Sequence, residues 1–171
     1  MVERDPTPVD SDIDLHVPAE RAELRPSPVP VLAAISAGGV CGTLARYGLS
    51  TAWPHPRGGF PWATLVINVS GCLLIGVLMV IVTEVATERR LLRPFVGVGV
   101  LGGYTTFSTY VMDIHQTAGA GAPWAALAYL AVTVVGALLA VWAGAAATGA
   151  VVSRWAGRAS ERAIAKAGAA R

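Results

Sequence analysis

Charge is scarce in this sequence, and histidine and cysteine are scarcer still. Only 14% of the 171 residues are Asp, Glu, Lys or Arg, against about 25% in an ordinary soluble domain. The formal net charge of +2 is too small to point to nucleic acid, and aromatic residues do not interleave with basic ones. His16, His55 and His115 lie in a tail, a loop and a helix end, so they form no ligand cluster. Cys41 and Cys72 both fall in apolar stretches without metal or redox spacing, and they read as small buried hydrophobes. No nucleophile elbow, phosphate loop or zinc spacing is present. An enzyme has nothing to stand on here beyond Asp113 and scattered hydroxyls.

What the chain has instead is apolar length. Hydrophobic residues make up 54% of it and gather in four runs, Val31–Ala52, Trp62–Val82, Phe95–Ile114 and Trp124–Val152. About 20 residues of helix cross a hydrocarbon core, so each run is a candidate span, and the fourth has length to tilt or project into water. Of 13 basic and 11 acidic residues, only Arg46 and Asp113 fall inside the runs. The expectation is all-α, an integral membrane four-helix bundle over residues 31–152. Trp53, Trp62, Trp124 and Trp155 sit near run ends, where interface aromatics belong. Pro61, Pro94 and Pro123 fit helix starts, where the missing N–H costs little.

Two flanks differ from the core. Residues 1–30 hold seven acids, three arginines and six prolines. Such a composition cannot bury enough apolar surface to offset its ordering entropy, so the segment reads as a disordered tail. No basic start precedes an apolar run there, which argues against a signal peptide. Residues 153–171 form a basic C-terminal tail. Four crossings place both termini on one side, together with the 83–94 connection. That side carries eleven Lys or Arg residues and the opposite side only Arg57. The positive-inside rule then makes both termini cytoplasmic.

Polar groups at membrane depth are the places to look for function. Asn68 lies in the second run, either as hydrogen-bonding glue between helices or with its amide turned toward a pore. In the third run, Gly102-Gly103-Tyr104-Thr105-Thr106-Phe107-Ser108-Thr109-Tyr110 joins two glycines to β-branched threonines. This weakens a helix at that point. Four hydroxyls in five residues can replace lost backbone bonds. A break there is tolerated only when buried in protein or lining a cavity. Arg46 either snorkels outward or adds positive potential to an anion entrance. Asp113 either marks the end of the third helix or lines a vestibule. Tyr129 and Thr133, four apart, share a helix face and read equally as packing or as a polar track. Gly38, Gly39, Gly42, Gly71 and Gly76 read as close-packing positions.

Three stretches together resemble the CrcB/Fluc fluoride channel family: Gly38-Gly39-Val40-Cys41-Gly42-Thr43-Leu44-Ala45-Arg46-Tyr47, Ala63-Thr64-Leu65-Val66-Ile67-Asn68-Val69-Ser70-Gly71, and the glycine–threonine segment 102–110. The resemblance spans residues 31 to about 150. It implies an antiparallel dimer with two pores. It makes Asn68 the pore asparagine and aligns Phe107 and Tyr110 with a pair of pore phenylalanines, with Thr106, Ser108 and Thr109 in the hydroxyl-rich stretch around them. It implies that the backbone carbonyls of Gly102 and Thr105 hold a structural sodium ion, Na+, at the dimer centre. Arg46 matches a first-helix arginine, Asp113 falls where the family often has glutamate, and Tyr129 and Thr133 resemble its fourth-helix polar track. Tyr110 and Asp113 depart from the usual residues.

The function expected from this resemblance is passive export of cytoplasmic fluoride, without nucleotide or redox cofactor. The charge bias adds a further expectation. An antiparallel homodimer needs chains that insert both ways, whereas eleven against one favours a fixed orientation and a heterodimer with a related chain. Two rivals stand beside it. A small multidrug-type exporter is disfavoured because the first helix holds no acid. A non-conducting scaffold or partner subunit leaves Asn68 and the hydroxyl cluster unexplained.

Overall fold

A computed structural model describes residues 29–56, 58–86 and 89–169, with side chains to residue 158. Most of the expected N-terminal tail lies outside these residues, but Val29 and Pro30 already belong to the first helix. Helix α1 is Val29–Ala52. Helix α2 is Trp62–Val80 and continues through a widened π-type turn, Ile81–Val85. Helix α3, Arg93–Leu101, is itself wide-turned and runs into a single α-turn, Gly102–Tyr104. Helix α4 is Ser108–Gly119, and α5 is Pro123–Ala169. The three prolines stand where helix starts tolerate them: Pro61 just before α2, Pro94 in the first turn of α3 and Pro123 at the head of α5.

Among the described residues, three helices are long and apolar enough to cross a membrane: Val29–Ala52, Trp62–Val85 and Pro123–Arg158. They correspond to the first, second and fourth apolar runs. The third run is split. Its halves are a 9-residue helix with a 3-residue turn, and a 12-residue helix, each short of the roughly 20 residues a full crossing takes. Thr105 divides them by turning extended, at φ −75° and ψ 160°. The chain is therefore an all-α, multi-pass membrane protein with one interrupted span. The loops are shorter than expected at one end: α4 carries His115 inside the helix and stops at Gly119, and Gly121 makes the turn at φ +85°.

Helix α5 departs most from expectation. Its 47 residues extend about 70 Å at 1.5 Å per residue, well beyond a hydrocarbon core of about 30 Å. The basic segment after residue 152 is thus continuous helix as far as Ala169.

Packing follows two close pairs, α1 on α3 and α2 on α5, with α4 also lying against α5. Glycine makes both pairs possible. A Cβ on Gly42 would run into the Val100 carbonyl and stand 2.8 Å from the Tyr104 nitrogen. A Cβ on Gly76 would meet the Val141 carbonyl and the Ala145 nitrogen at 2.9 Å. Lipid is as apolar as leucine, so helices in it are held by such close backbone approach rather than by hydrophobic burial. Large apolar side chains such as Leu44, Leu138 and Trp142 accordingly point outward and exposed. So does Cys41, contrary to the buried position expected of it, because α1 is covered on one side only; Cys72 is half-buried. Trp53, Trp62 and Trp124 are exposed near helix ends, and Trp155 is exposed well inside the continued α5.

Candidate ion pathway at the helix break

The interruption frees backbone groups that an intact helix would pair, and each unpaired one in an apolar setting costs about 2 kcal/mol or more. In a continuous helix the Thr106 N–H would donate to the Gly102 carbonyl. Here it donates to Asn68 Oδ1 at 2.9 Å, while Asn68 Nδ2 donates to the Thr106 carbonyl at 2.9 Å. One carboxamide from α2 thereby replaces two helical bonds. The Thr109 N–H turns to Thr106 Oγ1 at 3.2 Å instead of to the Thr105 carbonyl. That carbonyl accepts Arg46 Nη1 at 3.2 Å. Thr105 Oγ1 donates back to the Leu101 carbonyl at 3.0 Å, and Thr43 Oγ1 reaches the Gly103 carbonyl at 3.5 Å. Of the four hydroxyls near the glycines, Thr106 Oγ1 substitutes for a lost backbone acceptor, whereas Thr105 Oγ1 joins a Leu101 carbonyl that the Thr105 N–H already meets.

A pocket of about 360 Å³ opens beside the break, lined by Asn68, Thr105, Thr106, Phe107, Tyr110 and Thr133 within an otherwise apolar wall from α2 and α5. A primary amide carries two N–H donors, and Thr106 takes one of them from Asn68. Thr133 is 5% exposed and its Oγ1 is buried without a partner. An unmet buried hydroxyl is costly enough to call for an explanation. Phe107 is 77% exposed, and its ring centroid lies 6.0 Å from that of Tyr110. Tyr110 is buried, with its hydroxyl donating to the Leu130 carbonyl at 3.1 Å.

The remaining candidates separate from the pocket. Arg46 turns inward, where its guanidinium braces the Thr105 carbonyl, a neutral partner that leaves its positive charge in place. Asp113 does not end a helix. It sits in the middle of α4, buried, where Oδ2 accepts Thr64 Oγ1 at 2.6 Å and Tyr129 Oη at 3.5 Å. Tyr129 and Thr133 do share a buried face of α5, yet Tyr129 serves Asp113 and only Thr133 lines the pocket. Ser108 and Thr109 are exposed on the first turn of α4, tied to Thr106 Oγ1 at 3.4 and 3.0 Å. Gly102 is exposed on the far side of the extended residue.

Three participants escaped the sequence reading. Thr64 and Cys72 lie four residues before and after Asn68, so helical spacing alone puts all three on one stripe of α2. His55 gave no such signal: it belongs to the α1–α2 loop and comes within 3.9 Å of Asp113 only through the tertiary fold.

The fold and this site together define a class, an all-α multi-pass membrane protein whose third span is broken in mid-bundle and braced by an asparagine. The sequence model of the family described as CrcB-like protein, Camphor Resistance (CrcB), matches residues 33–145, and the chain belongs to that family. Relatives agree. The chain is 54% identical over 133 residues to "Fluoride-specific ion channel FluC 2" of Nocardia farcinica, covering 78% of this chain and 93% of that protein. It is 51% identical over 119 residues to "Fluoride-specific ion channel FluC 2" of Thermobifida fusca, covering 70% and 88%. It is 42% identical over 127 residues to "Fluoride-specific ion channel FluC" of Pseudomonas fluorescens strain Pf-5, covering 70% and 98%.

Proposed function

We propose that this chain is a subunit of a fluoride-selective channel that lets cytoplasmic fluoride leave passively. One observation carries the reading: the Asn68 carboxamide spans the helix break with one N–H to spare, in a pocket that also holds the orphaned Thr133 hydroxyl and the Phe107 ring. Fluoride is small and strongly hydrated, so a pore must replace its water with close donors. The spare amide N–H and the Thr133 O–H supply two, and aromatic ring edges carry partial positive charge. The head of α4, at Ser108, adds the positive end of a helix dipole at the same level. The relatives' printed names support the choice of ion.

The channel is an antiparallel dimer. Phe107, Tyr47 and Leu44 are large, apolar and more than half exposed in one chain, which favours a second subunit or lipid against them. A structural sodium fits the donor set on the other side of the break. Gly102's carbonyl has lost the Thr106 N–H to Asn68, and Thr105's carbonyl leaves the helix direction while accepting only Arg46. Two hard oxygens from one chain make half a site, which a second chain completes. Such an ion supplies a fixed positive charge at the dimer centre. Both termini are cytoplasmic by the eleven-to-one charge bias, and that bias favours a heterodimer over a homodimer.

Liposomes loaded with fluoride test the reading. The chain, alone or with a related chain of opposite charge bias, is expected to release fluoride and retain chloride. Equal release of both ions, or none with any partner, defeats it. Conduction by the chain alone decides for the homodimer. Replacing sodium by a bulky organic cation during purification is expected to lower dimer stability in detergent.

A further inference from the structure

One charged pair has no part in the scheme above. Asp113 is a buried carboxylate in a protein proposed to pass an anion. Its Oδ2 is bonded by two neutral hydroxyls, Thr64 and Tyr129, which leave the negative charge uncompensated. Its Oδ1 faces His55 Nε2 at 3.9 Å, at the outer limit of ion-pair contact, and among the described residues that is the basic side chain recorded against it. The histidine side chain is 29% exposed and the aspartate 8%, so one partner meets water and the other does not. Other charged groups point elsewhere. Arg46 is committed to Thr105, and His115 lies two residues along α4, on a different face of the helix. Arg57, in the same loop as His55, lies outside the described residues.

The pair also has a place along a line through the bundle. Ring contacts run from the break toward the α1–α2 loop: Phe107 to Tyr110 at 6.0 Å, Tyr110 to Tyr129 at 5.3 Å, Tyr129 to Phe60 at 5.5 Å and Phe60 to Trp62 at 4.6 Å. Asp113 hangs from the middle of this column through the Tyr129 hydroxyl, and His55 stands at the loop end. An anion taking that line from the pocket to the loop would pass the carboxylate. In a low-dielectric interior a like charge at such range raises the barrier, and an adjacent cation removes much of it.

We propose that His55 is a charge-compensating residue of the outer mouth. When protonated it offsets Asp113 and speeds fluoride exit, and when neutral it leaves a bare carboxylate that slows it. The proposal rests on the channel reading. Histidine is the side chain whose charge changes within about pH 5 to 8, so the sign is fixed. A charge on His55 offsets the carboxylate 3.9 Å away, so efflux is expected to rise toward acid.

The experiment is fluoride efflux from liposomes holding the full chain in its conducting assembly, at matched pH on both faces from 8 to 6, with protein-free liposomes subtracted for hydrogen fluoride leak. Wild type is expected to speed up several-fold as pH falls. His55→Gln is expected to be slow and flat, His55→Arg fast and flat. Asp113→Asn keeps an acceptor for Thr64 and Tyr129 and is expected to be fast and flat, alone or combined with His55→Gln. A His55→Gln channel with the wild-type slope overturns the proposal, as does an Asp113→Asn channel that keeps it. A second reading needs no conduction. At pH 6 the ring NMR signal of His55, assigned by its loss in His55→Gln, is expected to move in Asp113→Asn. An unmoved signal overturns the pairing even if efflux varies with pH. A conducting wild type without slope defeats this proposal and leaves the channel reading intact, whereas a wild type that passes no fluoride in any assembly defeats both.

Discussion

Asn68 on α2 and Arg46 on α1 both reach the broken backbone, one from each side. Asn68 takes a donor and an acceptor from the same residue, Thr106, and keeps one N–H over, turned to a walled pocket. Arg46 gives a single bond to the Thr105 carbonyl, on the side where Gly102 is exposed. The amide side borders an apolar pocket and offers donors. The guanidinium side is open and offers acceptors. The same interruption thus presents opposite polarities to its two faces, because a helix that stops and restarts exposes carbonyls at one end and amides at the other. A continuous span offers neither.

Substitutions on the two sides are expected to separate sharply. Asn68→Ala has the largest expected effect, since it removes a pore donor and strands both Thr106 groups. Fluoride efflux should fall by roughly a hundredfold or more, and stability in detergent by about 2–4 kcal/mol. Full efflux would reduce the amide to packing glue. Thr133→Val comes next and sharpens the contrast, because the hydroxyl it removes has no partner. Efflux should drop about tenfold, the worth of one hydrogen bond to an ion, while thermal stability holds or rises by up to about 1 kcal/mol. A loss of stability instead would mean the hydroxyl is structural. Arg46→Gln, on the open side, loses the charge and, two bonds shorter, its reach to the Thr105 carbonyl. A slowing of about two- to threefold is expected, shrinking as salt rises toward 1 M. An effect as large as that of Asn68→Ala would erase the distinction between the faces.

Much of this was legible in the residues. The four apolar runs announce helices because lipid allows little else, and the Gly102-Gly103 pair beside threonines marks the weak point of the third. Asn68 stood out because a carboxamide at membrane depth needs a partner. Its partner could not be named in advance, since Thr106 lies 38 residues away. Arg46 and Asp113 were visible as charges out of place, but both readings offered for Arg46 missed its bond to Thr105. Asp113 was read either as a helix end or as a vestibule residue, and it proved to lie in mid-helix, buried among groups from two other helices and a loop. Spacing of four residues could have added Thr64 and Cys72 to the stripe of Asn68. Nothing local could have added His55, which sits in an irregular segment without periodicity.

What composition and order determined alone is the solvent and the apolar runs that meet it: a chain so poor in charge, with runs of this length, has to live in a bilayer, and two glycines beside threonines have to weaken one of its runs. What only the tertiary structure decided is who attends to the weakness. Whether a freed carbonyl meets a carboxamide, a guanidinium or nothing depends on helix approach to within an ångström, which Gly42 and Gly76 permit but no single helix specifies. The reason is physical. Burial in lipid follows from the residues of one segment, while a hydrogen bond across helices depends on the relative placement of two.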